Sequence, residues 1–240
     1  MYTDISYITA KPSIGKDAIT FFQNMSLSNL EGEYDHLIVS PHSLKQTCLA
    51  LMDEQIQQAK VQKEAQILLK MNSLTDLDII KKLQEASAAG VKIKMVIRGI
   101  CCILPNLKGV TDNIEIYSIV GRFLEHSRIY CFGCGNQQKV YISSADFMTR
   151  NTEKRVEIGC PIEDENLKQE LLEYFNILLR DNVKTRKLCG NGEYVKMDTS
   201  GDPFIAQEYC MQKAVEEADQ LPGEEGISWL DKLKHWFQGA

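Results

Sequence analysis

No apolar run in this chain of 240 residues approaches the length of a membrane span. The first residues, Met1-Tyr2-Thr3-Asp4, lack the basic start and apolar stretch of a secretion signal. A cytoplasmic protein without a membrane span is the expectation, and the abrupt start suggests a piece of a longer chain. Positive charge is not in excess either. The net charge is −6, so nothing global suggests nucleic acid. No internal repeat recurs at a fixed period. A second cysteine pair is also lacking. Cys131-Phe-Gly-Cys134 has metal-ligand spacing, but nothing completes a four-ligand set, so a hairpin with incidental thiols is the reading and no metal site is assigned. The chain holds eight cysteines, several inside apolar runs such as Gly-Ile-Cys-Cys-Ile-Leu at 99–104, and a chain of this size needs no disulfides.

Hydrophobic residues make up 44% of the chain, enough for a core, and the length suits one domain or a domain with an appendage. Charge is unevenly spread. Residues 92–155 hold ten basic and five acidic side chains, whereas 198–240 hold three basic and nine acidic ones. An acidic protein with a basic middle can hold a polyanion at one local site.

Periodicity predicts the elements. A modest helix is expected near Asp17–Met25 and a strand over Tyr34–Val39. Ser40-Pro41 reads as a helix start, with Leu44, Cys48, Met52, Ile56 and Ala59 on one face. Gln66–Met71 reads as a strand, Asp76–Ala89 as a helix ended by Gly90, and Val91–Arg98 as the next strand. This β-α-β-α-β run predicts an α/β fold with a largely parallel sheet covered by helices. Loop formers fill 99–113. Strands are expected over Ile114–Val120, Ser127–Phe132, Lys139–Ser143 and Arg155–Ile162, with a turn at 133–136. Leu167, Leu171, Phe175 and Leu178 mark a long amphipathic helix. From Asp198 the pattern weakens, and Ile227, Leu230, Leu233 and Trp236 could line a last short helix.

One segment carries chemistry. In Leu124-Glu-His126-Ser-Arg128, a histidine opens a strand with a cation two residues on, and on a strand those side chains share a face. A second strand leads to Ser144 and Asp146. An imidazole beside guanidinium groups suits phosphoryl chemistry. Histidine can attack phosphorus or protonate a leaving oxygen, and arginine neutralises the equatorial oxygens. The segment resembles the His-x-Lys-x4-Asp half-motif of the phospholipase D superfamily. Arg128 stands at the lysine position and Gly133 at the aspartate position, which counts against a phosphodiesterase of that kind.

The wider sequence is similar to the polyphosphate kinase family. Tyr2-Thr-Asp4-Ile-Ser, Lys70-Met-Asn72-Ser-Leu-Thr-Asp76, Val96-Ile-Arg-Gly99, Leu104-Pro-Asn-Leu107, Leu124-Glu-His126-Ser-Arg128 and Val140-Tyr-Ile-Ser-Ser-Ala-Asp146-Phe-Met-Thr-Arg-Asn151 occur in that family in this order. The likeness covers about residues 1–197, leaving 198–240 as an acidic appendage. It implies a phospholipase-D-like α/β domain, with a mixed, largely parallel sheet and helices on both faces. It also implies reversible transfer of the terminal phosphate of ATP to polyphosphate through a phosphohistidine. That histidine and the arginines associated with magnesium belong to a preceding domain with no counterpart here.

Carried over by position, Tyr2 packs against the nucleotide and Arg98 binds ATP phosphate. His126 is the second active-site histidine and also contacts ATP. Arg155 lines the same site. Arg128, Arg150, Lys139, Arg122 and Lys154 are further candidates for a polyanion channel. His36, His42 and His235 are given structural or surface roles. The implied partners are ATP or ADP with magnesium, polyphosphate, the preceding domains and further copies of the full-length chain. The fragment alone is expected to be inactive. The reading from another class is a nucleotide- or polyphosphate-binding or self-association module without catalysis.

Overall fold

Successive side chains of a strand point to opposite faces of its sheet, so a strand that is apolar on both faces must be covered on both. Gln66–Met71 (β3) is such a strand, with five of its six residues buried. The computed structural model describes residues 2–198 and 200–220, and places β3 in the middle of a nine-stranded sheet. Ile67, Leu69 and Met71 face two helices, Leu44–Lys60 (α2) and Leu77–Ala88 (α3). Leu68 faces the other way, onto Glu165–Arg180 (α5) and the start of Ala206–Gln220 (α6). Helices thus cover both faces, as expected.

The remaining elements, numbered in chain order, are β1 (Tyr2–Thr3), α1 (Pro12–Ser26), β2 (Ile38–Ser40), β4 (Lys92–Ile97), β5 (Ile114–Ile119), β6 (Leu124–Glu125), β7 (Arg128–Phe132), β8 (Lys139–Ser143), α4 (Thr149–Glu153), β9 (Glu157–Ile162), β10 (Thr185–Leu188) and β11 (Tyr194–Lys196). The large sheet runs β11-β10-β5-β4-β3-β7-β8-β9-β2, while β1 and β6 form a separate parallel pair.

The sheet is mixed but not largely parallel. Only β3–β4 and β4–β5 pair in parallel within it; every other adjacent pair is antiparallel. Connection length explains the difference. The crossover through α3 returns the chain in the same direction, whereas the short link at 133–138 joins β7 to β8 and forces antiparallel pairing. The strand expected beside β3 is also displaced. β2 pairs with β9 at the far edge. It is shorter than Tyr34–Val39 because Asp17 on α1 accepts the backbone N–H groups of Asp35, His36 and Leu37 at 3.2, 2.7 and 3.0 Å. Those donors are satisfied locally and need no ladder partner. α2 begins at Leu44 with Ser43 as cap residue, rather than at Ser40-Pro41. The helix proposed around Ile227–Trp236, and His235, lie outside the described residues.

A buried lysine ties three helices together. Lys45 Nζ on α2 lies 2.6 Å from Asp78, 2.7 Å from Glu153 and 3.1 Å from Asp76, the cap residue of α3. Burial pulls the ammonium pKa down, but the hydrogen bonds it donates to Asp78, Glu153 and Asp76 outweigh this and raise it. Lys45→Met should therefore destabilise the domain by roughly 3 kcal/mol, because the Asp76 carboxylate stays buried without its cation. The urea midpoint of the variant against the parent measures this.

Candidate functional site

The parallel strands β3 and β4 end on the same side of the sheet, and a crevice outside such carboxyl ends is where α/β folds gather ligands. β3 delivers Asn72 there and β4 delivers Arg98. β8 runs in the same direction and leads to Ser144 and Asp146. β7 runs the other way and starts there, with His126 just before it. Isolated bridges from Leu74 to Cys101 and to Phe147 draw the three loops together. Gly99 is needed at this point, since a Cβ there would lie 2.7 Å from the Asn72 carbonyl oxygen. The close approach fixes Arg98 beside Asn72.

The parallel pairing of β1 with β6 brings the N-terminus to the histidine. The Tyr2 ring lies 4.9 Å from the imidazole, centroid to centroid. Asp4 Oδ2 lies 2.8 Å from His126 Nδ1. Burial alone would raise the Asp4 carboxyl, but the His126 hydrogen bond, the Ile5 N–H and the charges of His126 and Arg128 hold it below its ordinary 3.8. An ionised carboxylate only accepts, so Nδ1 carries the proton and Nε2 keeps its lone pair when the ring is neutral.

Arg128 Nη1 lies 3.1 Å from Nε2 and 3.4 Å from Nδ1. A point in the ring plane at both distances would collide with Cε1, so the guanidinium sits over the ring face. Nη1 also donates to the His126 carbonyl oxygen at 2.9 Å. The in-plane direction of Nε2 is therefore not taken up by Arg128. A cation stacked on the face orients the ring and adds positive potential where a phosphate oxygen would approach.

Asp146 holds the arginine. Its oxygens accept from Arg128 Nε and Nη2, each at 3.2 Å, and from the Asn72 backbone N–H at 2.7 Å. Asn72 Oδ1 in turn accepts from Arg98 Nε at 2.6 Å, and the Glu125 carbonyl oxygen accepts from the same Nε at 3.0 Å. Both terminal nitrogens of Arg98 make no hydrogen bond among the described residues. They are preset donors for an anion. The adjoining cleft measures about 330 Å³ and is lined by Asp4, Ile5, His126, Arg128, Ser144 and Cys160, among others. Among the described residues no group of three or more His, Cys, Asp or Glu side chains is placed to hold a metal ion.

Tyr2, Arg98, His126 and Arg128 thus converge. Arg155 lies at the rim: it approaches Glu157 at 3.9 Å, and Glu157 accepts from Ser144 Oγ at 2.5 Å. Arg150 sits beside it, its carbonyl oxygen accepting from the Arg155 N–H. Both are exposed. Lys139 does not join them. It begins β8, whose other end meets Arg128, and it pairs with Glu54 at 2.8 Å. Arg122 also lies apart, its guanidinium over the Phe123 ring near α6. A local surplus of positive charge marks the segment but not which end of a strand each cation occupies.

The sequence places Asp146 near His126, as the carboxylate after the second strand, but assigns no site role to Asp4 or Asn72. Their signal was present but faint: a polar residue directly after an apolar strand, or beside a strand-forming tyrosine. Cys131 is buried in the sheet, and burial pushes its thiol up to about 12. His36 lies on the surface with Nδ1 3.1 Å from Glu163.

The polyphosphate kinase C-terminal domain 2 family model matches residues 37–207. A Staphylococcus epidermidis polyphosphate kinase is 42% identical over 99% of this chain and 34% of its own length. The Bacillus anthracis polyphosphate kinase is 44% identical over 84% of this chain and 29% of its own length. The crystal structure of polyphosphate kinase from Porphyromonas gingivalis superposes with a TM-score of 0.81 at 34% identity, covering 88% of this chain and 33% of that one. The chain spans about a third of the length of the curated relatives it matches. It belongs to the polyphosphate kinase family and carries the domain described there as C-terminal domain 2.

Proposed function

We propose that this chain supplies the nucleotide- and phosphate-binding part of a polyphosphate kinase. That enzyme would move the terminal phosphate of ATP to polyphosphate, reversibly, through a phosphohistidine in a preceding domain. Residues 1–197 form the catalytic domain in this reading, and 198–240 an acidic appendage. One observation carries it: His126 and Arg128 line one cleft, and Arg98 is anchored next to it through the Glu125 carbonyl oxygen and Asn72, with its terminal nitrogens free of hydrogen bonds among the described residues.

Tyr2 packs against the nucleotide base. Arg98 and Arg128 take the phosphate oxygens, and Arg155 and Arg150 extend the positive rim toward the polyphosphate chain. Nε2 of His126 faces the oxygen between donor and acceptor. With the ring doubly protonated against Asp4, it gives that oxygen a proton; in the reverse direction it takes one back. The protein ligands of magnesium are assigned to the preceding domain, and no step is routed through the ion here. The cell interior, where ATP is plentiful, and assembly of the full-length enzyme from several copies belong to the same reading. Among the described residues no helix is long and apolar enough to cross a membrane.

The purified chain of 240 residues should make no polyphosphate from ATP, yet bind ATP and polyphosphate in calorimetric titrations, more weakly as salt is raised. Measurable synthesis would refute the placement of the nucleophile elsewhere. An Arg98→Ala, His126→Ala variant that binds as tightly as the parent would sink the site.

A further inference from the structure

His126 sits at a seam. β6 belongs to the two-stranded sheet and β7 to the nine-stranded one, so the chain leaves one ladder at Glu125 and joins another at Arg128. His126 and Ser127 lie between the two ladders. The His126 N–H keeps one bond to the Thr3 carbonyl oxygen at 3.0 Å, and its carbonyl oxygen accepts from Arg128 Nη1. A ring that must keep its nitrogens on Asp4 and an incoming oxygen also needs the residues flanking it, Glu125 and Ser127, held in place.

Lys70 lies beneath the seam, 1% exposed, a lone charge in an apolar central strand. Its Nζ donates to Ser127 Oγ at 2.7 Å and to the Ser127 carbonyl oxygen at 3.0 Å, and pairs with Glu125 Oε2 at 3.2 Å. One ammonium therefore directs its three donors to the residues on either side of His126. Glu125, 3% exposed, also accepts from Tyr174 OH on α5 and Gln207 Nε2 on α6, each at 2.8 Å. The Gln207 amide grips Phe123 as a neighbouring strand would. Its Oε1 accepts from the Phe123 N–H at 3.0 Å, and its Nε2 donates to the Phe123 carbonyl oxygen at 2.9 Å. A Cβ at Gly121 would fall where this amide lies.

We propose that Lys70, Glu125 and Gln207 are positioning residues for His126, forming a buried clamp that holds the seam in place. Residues from β3 and α6 act together on β6, and so on both Asp4 and the ring. A buried ion pair adds little stability over an apolar pair of the same volume, so geometry is what this one supplies. The catalytic consequence rests on the proposed role of His126 in phosphoryl transfer.

The test uses the full-length enzyme for rates and this chain for the state of the ring. Lys70→Met with Glu125→Leu removes both buried charges at once and should lower the melting temperature by only a few degrees, the cost of leaving Tyr174 OH without that acceptor. Polyphosphate synthesis should fall on the order of 10²-fold, the loss expected from a small misplacement. Nitrogen NMR of His126 should show one Nδ1–H tautomer in the parent and a mixture in the double variant. Gln207→Leu, which changes no charge, should shift the same signal and covers the case in which the double variant does not fold. A parental tautomer in every folded variant, or a parental rate in the folded double variant, overturns the clamp. If His126→Ala itself keeps the parental rate, the proposed function fails, while the NMR signal still decides whether the clamp orients the ring.

Discussion

His126→Ala in the full-length enzyme should lower ATP-dependent polyphosphate synthesis by about two to four orders of magnitude, the range of a positioned acid–base group. Stability should barely change, since the side chain is 35% exposed and its partner Asp4 is 52% exposed. Surface substitutions of that kind stay within about 0.5 kcal/mol. The ring is the only part removed, because Asp146 still holds Arg128 and Asn72 still holds Arg98. ATP affinity should therefore fall less than the rate. Parallel measurement of synthesis, melting temperature and ATP binding checks all three. A rate within threefold of the parent would remove His126 from the chemistry.

Much of this arrangement was legible in the sequence, for identifiable reasons. β3 and β8 run over the residues that alternation and apolar content indicated, Gln66–Met71 and Lys139–Ser143. α3 starts after Asp76, whose side chain accepts the N–H groups of Asp78 and Ile79, and it stops before Gly90 at φ +97°. Such signals are local, and local physics decides them. Strand order is not local. Nothing in residues 34–40 tells that β2 pairs with β9, well over a hundred residues later in the chain, rather than with β3. The site shows the same division. His126 and Arg128 stand out in sequence because a histidine and a cation two residues apart suit one face of a strand, although the strand itself begins only at Arg128. Asp146, just past the end of the hairpin partner strand, is legible beside them, whereas Asp4 comes from the distant N-terminus and only the folded chain brings it to the ring. Lys139 misled because its charge is visible in sequence while its place at the wrong end of β8 is not. Gln207, set apart by the acidic composition of its segment, is buried against β6.

Asp146→Ala should cost more stability than any other substitution at the site, on the order of 3–5 kcal/mol, because it breaks a buried ion pair from one side. The side chains of Arg128 and Asp146 are 12% and 11% exposed, so the guanidinium would lose its counter-charge with little water in exchange. The Asn72 backbone N–H, which Asp146 accepts at 2.7 Å, would lose its partner too. The effect should then spread along the network. Asn72 carries the oxygen that fixes Arg98 Nε, and Arg128 covers the His126 ring, so both arginines would be freed at once. ATP affinity should drop at least tenfold, equivalent to about 1.4 kcal/mol. Asp146→Asn should fall between parent and alanine. It keeps one acceptor, but sets an amide N–H against a guanidinium N–H where two bonds ran in parallel. Urea unfolding and calorimetric titration of ATP at fixed ionic strength provide the measurements. An alanine variant with the parent's midpoint and affinity would show that Arg128 finds another anchor and that Asp146 is not the centre of the site.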